Sequence, residues 1–304
     1  MKNPTIVIHG GAGRALSDKT REKFVREALS SIIERLWQGL SAGAGAMEIA
    51  RQGCIALEDC EHFNAGLGSA IQSDGQVRMS ASIMDGTRQS FSGIINVERV
   101  QNPTVMAVHL QQARDRVLDG VGAVRLAREM RLPLFDAVVP RRLEEWIRQG
   151  RKERSDDQAQ VSAPSSTEVG PDDRGSGTVG VVVRDFTGAL AASTSTGGRG
   201  FERVGRVSDS ATVAGNYATE YGAVSCTGIG EDITDEALAA RIIVRVQDGM
   251  TLDEAVGASI EEARQRERRL AAIAVDHRGQ MSWGKTTELL LAVGRTGDEE
   301  RWAF

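Results

Sequence analysis

The residues most able to do chemistry in this 304-residue chain lie in its second half. Gly175-Ser176-Gly177-Thr178-Val179-Gly180 sets a threonine where a polar stretch gives way to an apolar run. A chain break before Thr178 would leave a hydroxyl nucleophile and an α-amine on one residue, and an amine of ordinary pKa, about 7.7–8.0, is its own base at neutral pH. Taken alone, the junction also reads as a plain loop-to-strand edge. Ser193-Thr194-Ser195-Thr196-Gly197-Gly198 offers hydroxyls to polarise that nucleophile, or is simply a polar turn. In Gly205-Arg206-Val207-Ser208-Asp209-Ser210, an arginine fork suits a carboxylate and the nearby carboxylate suits an ammonium. Together they fit an amino-acid-like substrate end; apart from other support they are an exposed ion pair. Ser225-Cys226-Thr227-Gly228-Ile229-Gly230 combines a hydroxyl with glycine-rich backbone N–H groups, the makings of an oxyanion hole. Cys226 has no histidine near it in sequence and reads as a structural thiol. His9-Gly10-Gly11-Ala12-Gly13 follows a strand, but its spacing ends on Leu16 where a dinucleotide fingerprint needs a small residue. His9 is either a base or a strand-end histidine that orders the turn.

These groups need elements to hold them. Thr178 to Val183 is the most hydrophobic strand of the chain, and Asp185-Phe186-Thr187-Gly188 turns it into a second strand, Ala189 to Ser193. That hairpin brings the hydroxyl cluster beside Thr178. Ala272 to Val275 and Gln280 to Trp283 form a similar pair. Between the hairpins lie two predicted helices, Asp235 to Asp248 and Leu252 to Arg266, the latter opening on the capping-box pattern Thr251-Leu252-Asp253-Glu254. In the first half, Thr5 to Ile8 reads as a buried strand and Gly10 to Gly13 as a turn. Lys19 to Leu40 and Ala46 to Leu57 carry apolar residues at helical spacing, and Phe63 to Val97 reads as short strands. Val105 to Met130 and Phe135 to Gln149 are predicted helical, with breaks at Pro133 and Pro140. From Gly150 to Ser176 almost nothing is large and apolar, so burial cannot offset the entropy of ordering and a disordered tail is expected. Blocks of helices beside blocks of hairpin strands predict an α+β fold with helices packed on antiparallel sheets.

Hydrophobic residues at 40% and charged residues at 26% describe an ordinary globular chain with a sizeable core. The net charge of -5 argues against nucleic-acid or membrane partners, and the run Arg264 to Arg269 reads as a solvated helix face. Three cysteines, Cys54, Cys60 and Cys226, without a C-x-x-C pair suggest a reducing compartment. With no secretory-type leader and no stretch near the roughly 20 apolar residues of a membrane span, a cytoplasmic location is expected.

Jointly, the motifs resemble the plant-type asparaginase / isoaspartyl peptidase family of threonine N-terminal-nucleophile hydrolases. The matching segments are HGGAG (from His9), FNAGLGS (from Phe63), IMDG (from Ile83), GTVG (from Gly177), TSTGG (from Thr194), GRVSDS (from Gly205) and SCTGIG (from Ser225). The resemblance implies a four-layer αββα sandwich, made of an α subunit (1–177, with 150–176 its disordered tail) and a β subunit (178–304). It implies self-cleavage between Gly177 and Thr178, an (αβ)2 assembly, and hydrolysis of β-aspartyl dipeptides and L-asparagine through a β-aspartyl-threonine ester. Thr178 corresponds to the nucleophile and Thr196 to its supporting hydroxyl. Arg206 and Asp209 match the clamp for the substrate α-carboxylate and α-ammonium, with the Gly230 carbonyl assisting. Thr227 and Gly228 match the oxyanion donors, and Asn64 an asparagine at the active-site floor. The loop from Leu57 to Leu67 resembles a structural sodium site formed by backbone oxygens of Leu57, Glu58, Cys60, Phe63, Ala65 and Leu67; no cofactor is implied for the chemistry. The chain departs from the family pattern at Ser208, usually glycine, at Ala211, usually proline, at Ser80 and around Arg268 to Ala272 and Trp283 to Glu288. Two other readings are a glycosylasparaginase-like amidase and a non-enzymatic, nucleotide-binding or pseudo-enzyme protein using the first glycine turn.

Overall fold

The computed structural model describes residues 3–16, 18–160 and 177–304. The chain opens with strand β1 (Thr5–Gly13), helices α1 (Lys19–Ser41) and α2 (Ala46–Glu58), and the hairpin β2 (Met79–Asp85) and β3 (Ser90–Val97). Helix α3 (Pro103–Leu110), strand β4 (Val117–Asp119), and helices α4 (Gly120–Glu129) and α5 (Pro140–Gln160) follow. The second half holds β5 (Val179–Arg184), β6 (Leu190–Thr196), a 3-10 turn at Asp209–Ala211, β7 (Asn216–Ala218) and β8 (Gly222–Gly228). It ends with α6 (Gly230–Glu236), α7 (Leu238–Gln247), α8 (Leu252–Gln265), β9 (Leu270–Asp276), β10 (Met281–Lys285), β11 (Leu289–Thr296) and β12 (Glu299–Ala303).

Two sheets form. The larger runs β12-β11-β1-β5-β6-β2-β3-β4 and the smaller β10-β9-β8-β7. β3 and β4 pair in parallel; the other described pairings are antiparallel. The apolar pattern of the strands explains how they pack. Side chains alternate along β5, so Val181 and Val183 meet Leu36, Ile49 and Leu57 of α1 and α2, while Val182 faces the other way. On that side Val182, Val7, Ala192 and Ala292 join Ala218, Ala223, Ala271 and Ile273 of the smaller sheet. Beyond it, Val224, Cys226 and Ala272 pack under Ile242 and Ile243 of α7 and Ile260 of α8. Cover on both faces is why the valines of β5 run almost without interruption from Val179 to Val183.

Several elements match expectation. The turn after β5 is tied by Asp185, whose Oδ1 accepts from the backbone N–H groups of Thr187, Gly188 and Ala189 and from Thr187 Oγ1. Helix α8 carries the expected capping box, with Glu254 N donating to Thr251 Oγ1 and Thr251 N to Glu254 Oε2. Other expectations need correction: the helix expected from Phe135 starts only at Pro140, and the one expected over Asp235 to Asp248 is broken at Ala237, φ 45°. The glycines of HGGAG do not form a turn: β1 runs on to Gly13, with Gly11 at φ 121° and a register slip against β11 between His9 and Gly11. The bulge absorbs the extra residue, and the Phe63 ring leaves no room for a side chain at Gly10. The span Val105 to Met130 is not one helix; β4 interrupts it between α3 and α4. Residues 150–160, read as the start of a disordered tail, continue α5, since Arg, Lys, Glu and Gln are good helix formers. The remainder of that tail, 161–176, lies outside the described residues. Strands β11 and β12 extend the larger sheet beyond anything expected.

The basic run Arg264 to Arg269 is engaged by acids: Arg264 with Glu261, Arg266 with Glu236, and Arg268 with Asp232 and Asp235. Among the described residues, no helix is long and apolar enough to cross a membrane.

Candidate active site

Thr178 immediately precedes β5, between β1 and β6 in the larger sheet. Gly180 pairs with His9 on one side and Thr194 on the other. One step beyond the pairing of Val179 with Ser195, the register sets Thr196 across from Thr178. Alternation assigns the hydroxyls of β6 to opposite faces. Ser195 points to the helices and donates to Glu58 Oε1 at 2.7 Å, while Thr194 faces the smaller sheet, 2.7 Å from Ser225 Oγ. Thr196 shares the face of Thr194. Thr178 is buried, and its Oγ1 lies 3.4 Å from Ser210 Oγ.

Beyond the nucleophile candidate, Arg206, Asp209 and Gly230 converge. A Cβ placed on Gly230 would lie 2.5 Å from Arg206 Nη2 and 2.7 Å from Asp209 Oδ1, so both charged heads close on this glycine. Gly215 clears the opposite side of the Asp209 carboxylate, 2.5 Å from Oδ2 by the same measure. Asp209 is buried, its Oδ2 has no hydrogen-bond partner among the described residues, and burial pushes its carboxyl up to about 6 against the pull of Arg206. A buried carboxylate with a free oxygen beside a guanidinium is a receptor for an ammonium next to a carboxylate. Arg206 is held by a residue that sequence reasoning missed: Glu231 accepts from Nε at 2.7 Å and from Nη2 at 2.9 Å. That fork pulls the Glu231 carboxyl down to about 2.

Thr227 and Gly228 end β8 on the side facing Thr178. Thr227 Oγ1 is buried without a partner among the described residues, and a Cβ on Gly177 would come within 2.6 Å of it. An unpaired buried hydroxyl is costly, about 1–3 kcal/mol, unless something arrives to use it. Gly228 sits at φ 133° against the Arg269 carbonyl, where no side chain fits. Thr227 Oγ1 lies beside Gly177, and a hydroxyl with a neighbouring glycine N–H is the donor set that could hold a developing oxyanion.

The other candidates lie around this centre. Asn64 is buried and fully engaged: Nδ2 donates to the Gly198 carbonyl at 2.6 Å and Oδ1 accepts from Ala70 N at 2.8 Å. It fastens the glycine turn after Thr196. His9 is buried, its Nε2 2.9 Å from Ser225 Oγ, and burial lowers its pKa to about 3, so it stays neutral. No sequence signal links it to Ser225 and Thr194, which meet it only across the sheets. Cys226 and Cys54 are buried; burial pushes both thiols up, Cys54 to about 12, which suits structural thiols. In the loop after α2, Leu67 N donates to the Glu58 carbonyl, and Cys60 N to that of Leu57. Gly68 lies where a Cβ would come within 2.5 Å of the Glu61 carbonyl and 2.9 Å of the Phe63 carbonyl. Carbonyl oxygens are the donors a hard monovalent cation would take, and those of Leu57, Glu58 and Cys60 already accept from Cys60 N, Leu67 N and Phe63 N.

The chain is similar over most of its length to proteins of known family. The family model described as asparaginase matches residues 2–303. An isoaspartyl peptidase/L-asparaginase of Synechocystis sp. is 50% identical over 294 residues, covering 97% of this chain and 88% of the relative. The human isoaspartyl peptidase/L-asparaginase is 32% identical over 276 residues, covering 90% and 86%. A plant-type L-asparaginase of Pyrococcus abyssi is 32% identical over 287 residues, covering 93% of each. With a match spanning almost its whole length, the chain belongs to the asparaginase family.

Proposed function

We propose that this protein cuts itself between Gly177 and Thr178 and then uses Thr178 to hydrolyse β-aspartyl dipeptides and L-asparagine. The observation that carries the reading is the convergence of Arg206 and Asp209 on Gly230, in reach of the Thr178 centre and its unpaired Thr227 hydroxyl. Arg206 takes the substrate α-carboxylate, and Asp209 with the Gly230 carbonyl takes its ammonium. That places the side-chain carbonyl at Thr178. The freed α-amine accepts the proton of Oγ1, Thr196 supports the hydroxyl, and Oγ1 attacks the carbonyl carbon. Thr227 Oγ1 and Gly228 N–H hold the oxyanion, the amine or ammonia leaves, and water hydrolyses the β-aspartyl ester.

The three apolar layers support a four-layer αββα sandwich, and family membership supports an (αβ)2 assembly. Carbonyls of Leu57, Glu58, Cys60, Phe63, Ala65 and Leu67 would hold a sodium ion whose work is to brace the loop that carries Asn64. Three free cysteines, two of them buried, suit a cytoplasmic protein. A nucleotide-binding role for HGGAG has no support, because its glycines are packed against Phe63 and Gly177.

Electrophoresis of purified protein tests the reading. Wild type should give two fragments in place of the 32.7 kDa chain, and Thr178→Ala should stay whole. Processed protein should release leucine from β-Asp-Leu. A wild type that never fragments would overturn the proposal, and turnover of a glycosylated asparagine but not of β-aspartyl dipeptides would shift it to the glycosylasparaginase reading.

A further inference from the structure

The proposed self-cleavage raises a chemical problem. In the uncut chain the Thr178 nitrogen is part of an amide, whose lone pair is delocalised, so it cannot take the proton from Thr178 Oγ1. Another base must. His9 is near but is a poor one: burial holds its pKa at about 3, and its Nε2 is engaged with Ser225 on a line that leads to Thr194.

A second line of hydroxyls does start at Thr178. Thr178 Oγ1 is 3.4 Å from Ser210 Oγ, Ser210 Oγ is 3.1 Å from Ser208 Oγ, and Ser208 Oγ is 3.3 Å from Asp209 Oδ1. All four residues are buried. Ser210 N also donates to Ser208 Oγ at 3.2 Å, which fixes the Ser208 rotamer in the middle of the line. We propose that Ser210, Ser208 and Asp209 form a proton relay that activates Thr178 for self-cleavage, a role for Ser208 distinct from substrate binding. The inference rests on the self-cleavage reading above.

The step balances as a hydrolysis. Ser208 Oγ has one proton and donates it to either Ser210 Oγ or Asp209 Oδ1; once it turns to Asp209 and gives that proton up, its oxygen takes the Ser210 proton as Ser210 takes that of Thr178 Oγ1. Thr178 Oγ1 bonds to the Gly177 carbonyl carbon, whose π pair moves to oxygen. The C–N bond then breaks with its electron pair on the Thr178 nitrogen, and the proton returns through the same hydroxyls to make the free amine. Water adds to the resulting ester, Oγ1 leaves with one of the water's protons, the other passes to solvent, and Gly177 ends in a carboxylate. The charged and titratable groups around Asp209 are Arg206 on its own loop, Glu231 of α6 and the Cys226 thiol of β8. A carboxylate raised by burial is a better base near neutral pH than an ordinary one. Because the same carboxylate would bind the substrate ammonium, it is free for this work only before the site has a substrate.

The test is the rate at which freshly synthesised full-length chain turns into fragments, followed on gels across pH 5 to 8; it needs no substrate. Ser208→Ala should slow cleavage at least about tenfold, the low end of what a positioned base contributes, and Ser208→Thr should restore it. The wild-type rate should fall on the acid side as Asp209 takes up its proton, and Asp209→Asn should cleave slowly without that fall. Thermal melting checks that each variant is folded. Ser208→Ala cleaving at the wild-type rate, Ser208→Thr failing to rescue a folded protein, or Asp209→Asn keeping the acid fall would each overturn the relay alone. A wild type that does not fragment at all would overturn the self-cleavage reading beneath it.

Discussion

Gly230→Ala isolates the substrate clamp from the fold. Gly230 begins α6 and is not among the glycines at positive φ, so alanine fits its backbone. Its new Cβ would stand 2.5 Å from Arg206 Nη2 and 2.7 Å from Asp209 Oδ1, about 1 Å inside ordinary contact distance. The Arg206 head is the end of a flexible side chain and moves at little cost, so folding stability should hold. Recognition should not, since the guanidinium and the carboxylate must part to admit the methyl group. Hydrogen bonds to charged groups are worth about 1.5–3 kcal/mol each. Weakening both ends of the clamp should therefore cost roughly 2–4 kcal/mol, or about 30- to 1,000-fold in kcat/KM at 1.4 kcal/mol per decade. The assay is steady-state release of leucine from β-Asp-Leu by processed protein, beside a thermal melt and a gel. A kcat/KM within twofold of wild type would refute the clamp, and a collapse of Tm in step with activity would refute the separation from folding.

Other expectations follow from the same geometry. Glu231→Gln loosens the grip on the Nε and Nη2 edge of Arg206, so KM for β-Asp-Leu should rise by roughly two- to fivefold, the worth of a half-exposed ion pair, with kcat little changed. A fall in KM would mean that Glu231 competes with the substrate carboxylate instead of orienting its receptor. Asp209 attracts an ammonium only when ionised, so binding of L-aspartate to processed protein should hold above pH 6 and weaken as pH falls through about 6, the value to which burial raises this carboxyl. Calorimetric affinities that stay level from pH 7 to pH 5 would contradict that assignment. Thr251→Ala removes the cap of α8 far from the site, and should cost about 1 kcal/mol of stability with kcat/KM intact; a melt and an activity assay check both halves.

What could be read before folding was local. The hairpin at Thr178 announced itself through an unbroken apolar run, an Asp-Phe-Thr-Gly turn and a second run. The capping box at Thr251 needed only four residues. The motifs around Arg206 and Thr227 supplied residue types suited to binding an amino acid, though not the reason they meet. That reason is long-range: the smaller sheet lays β8 across β5 and β6, and small residues such as Ala192, Ala223 and Ala271 let the sheets approach. His9, Ser225 and Thr194 belong to three strands in two sheets, so no spacing could have joined them. The bulge in β1 hid because glycines signal turns more often than they signal a strand crowded by a phenylalanine ring. The length of α5 hid because a polar composition forbids a core without forbidding a helix.

The order of the larger sheet has a consequence for the life history of the molecule. Strand β1 lies between β5 and β11, so a strand from before Thr178 is hydrogen-bonded on both edges to strands from after it. β2 is likewise joined to β6. Once the chain is cut, the two pieces remain interleaved and cannot part without opening backbone ladders on several strands. The cut nevertheless changes what unfolding means. The intact chain regains its sheet by a first-order search, whereas the processed pieces must find each other, and refolding becomes dependent on concentration. The proposed cut would thus trade a recoverable fold for one that endures by the slowness of its opening, and a processed molecule would have passed its best chance to refold.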